Sequence, residues 1–364
     1  MDNKEKSKKD KIVIQRIEEE LQRIDKRENN IYFFVTSTHG IVDETIDYVY
    51  KMALLLKESG YNVGLIQQDE NFEGNKWLGN KEYDDLKVYD ISKGEVNVGV
   101  SDILFIPEVF ASVMNQTTKL PCKRIAIIQS VSYLTKFMPL SSQLADFGIF
   151  DVLTFDESEA ELIKQYFPYA HIYIAHTFID DFYFSKKELK DMTVNIISKN
   201  QEYVNKIAKP FYWKYPLYKW ITFKDMRGLN QTELAYNLAE SSITIWIDDD
   251  SNNGFDMLAS LANGNIVIAK IPDVIPSWVM NEENKFNNSI IWVNSITEIP
   301  QVLSNIIRAI ITNKVPNEII EDSKNVVKQF TKNRSFEEIN NVINDILEKR
   351  RTEINNLLNN ISKK

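Results

Sequence analysis

The chain has 364 residues, 43% hydrophobic and 26% charged, the composition of an ordinary globular protein and too much chain for one typical core. Its net charge of −9 weighs against a duplex-DNA footprint, which needs a basic face, and three histidines with one cysteine argue against a metal cluster. The charged start MDNKEKSKKDK has no apolar core behind it, no run of about 18 apolar residues follows, and Cys122 is alone, so a cytoplasmic protein is expected, without secretory signal, membrane span or intrachain disulfide.

Residues 4–28 are dense in Lys and Glu, with Ile17, Leu21 and Ile24 at helical spacing. This narrow stripe on a charged helix lies either on its own domain or against a partner protein. Ile31 to Ser37 reads as a buried strand. The loop THGIVDE, a helix through Lys57, the stop Ser59-Gly60 and the strand YNVGLI complete a βαβ unit, which demands a parallel sheet. DILFIPE, RIAIIQ, VLTF and HIYIA continue the strands, with a helical stretch around Leu140–Phe147 and a helix from Ser158 to Phe167 between them. Asp180 to Met192 is charged and aperiodic and reads as a linker. A second alternation follows: VNIIS, a helix over Tyr203–Tyr212, KWITF, a helix over Thr232–Ala239 with Asn230 as N-cap and Glu233 three residues later, and SITIWI. IWIDDDSNNGFDMLASLANGNIVIA then gives a buried strand end, a polar loop, a helix and another buried strand. Ile290–Val293 is a short strand, Ile299–Thr312 a helix, and 317–330 and 335–360 are long polar helices. The expected division is an arm at 1–28, a domain at 29–180, a linker at 181–192, a second domain at 193–335 and a final helix at 336–364. The fold class is α/β, two Rossmann-like domains with parallel sheets plus an extra N-terminal charged helix.

Several residues stand at strand ends, where such folds bind ligands. His39-Gly40 occupies the first βα loop, and the glycine allows a ligand to approach the backbone. His171 begins the strand HIYIA and reads as structural; His176 ends it near the expected cleft. Asp248-Asp249-Asp250 reads as a solvated acid run that would repel a diphosphate.

The order and spacing of these segments resemble the GT-B glycosyltransferases, most closely the retaining group called family 4. THGIVDETIDYVYKMALLLKESGYNVGLI is similar to that family's opening, and FDVLTFDESEAELIKQYFPYAHIYIAHTFIDDFYF to the close of its first domain. RGLNQTELAYNLAESSITIWI and SNNGFDMLASLANGNIVIA resemble its donor segment, and SFEEINNVINDILEK its last helix, which packs back onto the first domain. The resemblance implies two facing domains and a nucleotide sugar as substrate, with no metal and no separate cofactor. A hexosyltransferase-like reaction would pass the sugar to an acceptor on the first domain. It implies donor contacts from Gly40, Lys199, Lys206 (or Lys209), Arg227, Asn253, Gly254 and Phe255, with His39 and Ser251 as catalytic candidates. Alignment on Gly254 and Gly264 puts Ser251 and Ala259 where the family has its two donor-binding glutamates. Ser251 can hydrogen-bond weakly and Ala259 cannot. That loss implies an alternative: a catalytically silent GT-B body serving as a structural or partner-binding module in a larger assembly, a virus particle among them.

Overall fold

The computed structural model describes residues 3–39, 41, 43–69, 72, 81–94, 96–184, 190–248, 254–281, 283 and 285–362, with side chains described from Ile12. A long helix α1 (Asn3–Asp25) precedes β1 (Asn30–Phe34), α2 (Glu44–Glu58), β2 (Asn62–Gln67), β3 (Lys87–Asp90) and β4 (Ile103–Pro107). Then come α3 (Ala111–Gln116), β5 (Lys123–Ile127), α4 (Val131–Phe137), β6 (Asp151–Thr154), α5 (Glu157–Tyr166) and β7 (His171–Ile174). The second half runs β8 (Asp191–Ile197), α6 (Glu202–Lys214), β9 (Thr222–Asp225), α7 (Gln231–Glu240), β10 (Ser241–Trp246) and α8 (Phe255–Ala262). It ends with β11 (Ile266–Lys270), β12 (Ile290–Val293), α9 (Ile299–Ile311), α10 (Asn317–Val327) and α11 (Lys332–Ser362).

Two parallel sheets result, ordered β3-β2-β1-β4-β5-β6-β7 and β12-β11-β10-β8-β9. Their central strands are near-continuous apolar runs because helices cover both faces. Phe33 shows the consequence: it sits between Leu65 and Phe105 in register, and its ring stacks on Phe105 at 4.6 Å. In each sheet the first strand has later strands added on both sides. The winding direction therefore reverses beside β1 and beside β8, and a crevice opens there at the strands' C-terminal ends.

Four segments depart from the sequence reading. β3 escapes detection because it is a four-residue edge strand in which only Val88 and Tyr89 carry β propensity. α3 and α4, of six and seven residues, are too short to display a helical period. The expected linker is tied down at its start, since Tyr183 is fully buried, and β8 already begins at Asp191.

The apolar stripe of α1 is covered by the chain itself. Ile24 is buried and Ile17 and Leu21 pack on the same core, which α11 also covers. Glu20 receives the Ser101 amide at 2.9 Å, and Arg23 reaches buried Asp102 at 2.9 Å. Of the two expectations for this stripe, packing on its own domain is the one seen: Ile24 is buried and Ile17 and Leu21 are partly buried there.

Candidate functional site

A cavity of about 300 Å³ lies between the halves at the reversal point beside β8. Its second-domain wall comes from the ends of β8 (Ile197 to Lys199) and β10 (Trp246, Asp248), the turn before α7 (Met226 to Leu229) and Asp256 in the first turn of α8. Its first-domain wall is Ile41 and the start of α2, Asp43 to Thr45.

Local sequence explains the placement of these groups. Asp43 is the N-cap of α2 and accepts the amides of Thr45 and Ile46 at 3.0 and 3.1 Å. Glu44 is thereby fixed in the first helical turn, aimed across the gap. On the other side Gly254 adopts a left-handed conformation, φ +63°, and turns the chain into α8. That turn brings the Phe255 amide to Glu44, 3.2 Å from Oε2. The helix start, the usual seat of an anionic ligand, thus holds a carboxylate of the chain itself. Glu44 and Asp256 face the same cavity as neighbours. Burial, then the neighbouring charge, lifts Glu44 well above the usual carboxylate range, and burial lifts Asp256 to about 6. Two adjacent carboxylates disfavour each other's charge, which adds to the upward shift of Glu44.

The cations of the cavity are matched as well. Lys199 bonds the hydroxyl of Tyr133, lies 4.5 Å from its ring centre and stands 3.5 Å from Asp248. Burial lowers its pKa, but Asp248 and Tyr133 outweigh this and raise it, so the ammonium is permanent. Its side chain remains half exposed. Arg227 is clamped by Asp225, with Nη2 at 2.5 Å and Nε at 3.0 Å.

The structure therefore brings Lys199 and Arg227 into one cavity. Other sequence-derived candidates lie elsewhere. Lys206 is exposed on α6 and tied to Glu202 at 2.7 Å, and is not among the lining residues. His39 is exposed at φ +53° in the loop beside the cavity, outside its lining. Phe255 is buried beneath the site, its ring under the Lys51 ammonium at 3.9 Å. Gly254 positions the helix rather than lining the cavity. Gly40, Ser251 and Asn253, with Asp249 and Asp250, fall outside the described residues. Ala259 is fully buried in the second-domain core and away from the cavity; a glutamate there would be an interior charge, and Asp256, three residues earlier, is the acid that reaches the space. Glu44, Asp256 and Tyr133 were missed. The acids had a signal, since Glu44 directly follows the helix-start residue Asp43 and Asp256 lies two residues after Gly254; Tyr133 had none, because its role depends on the two halves meeting.

No protein-family model and no curated protein matches the sequence. Solved structures do. The pneumococcal O-GlcNAc transferase GtfA, solved with UDP and GlcNAc, superposes at a TM-score of 0.64 over 88% of this chain and 99% of its own, at 8% identity. Sucrose-phosphate synthase from Thermosynechococcus elongatus matches at 0.61 over 88% and 100%, at 10% identity. Anabaena HepE in complex with UDP-glucose matches at 0.60 over 87% and 99%, at 10% identity. The fold is that of the GT-B glycosyltransferases.

Proposed function

We propose that the interdomain cavity is the nucleotide-sugar site of a glycosyltransferase-like protein related to the retaining family 4 group. The observation that carries this reading is the position of Lys199 and Arg227 in one cavity, at the reversal point of the second sheet, where open α/β sheets take their ligands. Neighbours of the same fold were solved with UDP or UDP-glucose, which supports a uridine nucleotide as the first ligand to test. In this reading Lys199 faces the diphosphate and stabilises the charge that develops on it as the sugar leaves. The acceptor sits on the first-domain side, near Ile41 and Thr45.

A second reading, a catalytically silent body, is favoured by one specific observation: Glu44 occupies the start of α8, where a diphosphate would bind. Isothermal titration of UDP and UDP-sugars separates the two. Under the first reading the wild type binds, and Lys199→Ala weakens binding by at least about tenfold, the equivalent of one charge-assisted hydrogen bond. Under the second the wild type binds no tighter than millimolar, and Glu44→Ala, which frees the helix start, strengthens binding. No binding by wild type or by Glu44→Ala would remove the donor assignment.

A further inference from the structure

The second domain carries a surface that the cleft does not use. Between Tyr203 and Lys224 the sequence has five lysines, eight aromatic residues and no acid, in a chain of net charge −9. Part of this aromatic content is internal. Phe211 is buried at the hub of a ring cluster, stacked on Tyr218 at 5.8 Å and edge-on to Phe223 at 5.5 Å. The Tyr212 hydroxyl donates to the Ile221 carbonyl at 2.6 Å and ties the turn to its helix. This rigid base holds three large apolar side chains outward: Trp213 is 77% exposed, Leu217 88% and Trp220 55%. Exposed Lys209, Lys214 and Lys219 alternate with them along the chain.

We infer that this tip seats on an anionic phospholipid surface. Indoles favour the water–lipid boundary, where the ring is apolar and its N–H stays wet, and an aliphatic side chain between them enters the acyl region. Lysine stems lie along the apolar layer while their ammonium groups meet the lipid phosphates. The same features argue against the other occupants of such a face. Single-stranded nucleic acid could stack on the two tryptophans but would leave Leu217, the most exposed group of the tip, with no apolar partner. A second copy would bring one lysine-bearing face against another, which like charge opposes.

The position suits such a role. Trp220 precedes β9, whose Thr222 pairs with Thr193 near the start of β8, so the tip lies at the N-terminal edge of the second sheet. The cavity lies at the C-terminal edge, and β8 spans seven residues, roughly 20 Å at about 3.3 Å each. Seating the tip leaves the cleft open to solvent, whatever the cleft binds.

Flotation of the full chain with phosphatidylcholine vesicles, with and without phosphatidylglycerol, tests this. The wild type is expected to float with the anionic vesicles only, less so as salt is raised, with a blue shift of tryptophan emission. Leu217→Asp, and Lys209→Glu combined with Lys219→Glu, should each weaken this by at least about tenfold while the melting temperature is unchanged. The inference is overturned if the wild type does not float, if neutral vesicles serve equally well, or if the variants float like the wild type. It is equally overturned if the tip instead retards a single-stranded oligonucleotide in a gel, or forms a dimer that Leu217→Asp dissolves.

Discussion

Gly254 shows how one backbone angle sets the geometry of the cavity. Its φ of +63° is rarely adopted by residues with a side chain, and a Cβ there would stand 2.9 Å from Met257 Cε and 3.1 Å from Trp278 Cζ2. Gly254→Ala is therefore expected to cost about 1–3 kcal/mol in urea unfolding and to disturb the Glu44–Asp256 contact, since that glycine turns the chain into α8. His176 is the second residue with a clear consequence. Burial lowers its pKa, but hydrogen bonds that the imidazole donates to Glu157 at 3.2 Å and Glu338 at 3.0 Å outweigh it and raise the imidazole to about 9. The bond to His176 holds Glu157 down at about 2. A histidine raised in the fold stabilises fully below its unfolded pKa, about 6.5, and the contribution disappears as pH rises through about 9. The melting temperature should accordingly fall between those limits, and His176→Gln should flatten that part of the profile in a pH series of thermal melts.

At the scale of elements, α1 is a structural member of the first domain. It covers the core with Ile24 and supplies the cation for Asp102, which is otherwise held by the amides of Asn30 and Gly99 at 2.7 and 2.6 Å. Deleting residues 1–28 should cost at least about 2 kcal/mol, the burial of one large aliphatic side chain, and lower the melting temperature without changing the number of copies per particle by light scattering. An unchanged melting temperature would refute the role. α7 is the opposite case, an element whose start was written locally: Asn230 receives the Glu233 amide at 2.9 Å and Glu233 returns to the Asn230 amide at 3.0 Å. That reciprocal cap is visible in sequence because it spans four consecutive residues.

At the scale of the whole molecule, the two halves are joined by buried polar contacts as well as by the chain. Lys51 is fully buried and lies 2.9 Å from both Asp47 and Asp180, and donates to the Phe178 carbonyl at 2.8 Å. Gln231, from α7 of the second domain, bonds Asp47, and the Phe255 ring faces the Lys51 ammonium. On the other flank Ser277 donates to Asp156 and Glu157 at 2.8 and 2.7 Å. Removing one member of a buried ionic network leaves the others unpaired, so Lys51→Met should cost about 3–5 kcal/mol in calorimetric or denaturant unfolding. Small-angle scattering should show a larger radius of gyration as the halves separate. Unchanged stability and radius would mean that the apolar contacts alone hold them.

By itself the sequence determined what short-range periodicity and helix-end chemistry can encode. The alternating apolar strands and amphipathic helices specified two parallel α/β arrays, and Gly254 and Asn230 marked where α8 and α7 begin. Lys199 was legible as a strand-end cation for the same reason. The tertiary structure decided what lies opposite each of these groups. Glu44 meets the Phe255 amide across 211 residues of chain, and Tyr133 meets Lys199 across 66. Ala259 turned inward and Asp256 outward because helix rotation against the core, rather than alignment on glycines, selects which face reaches the cavity. Hydrophobic pattern specifies which side of an element is buried; only the packing of two domains specifies which charges then share a space.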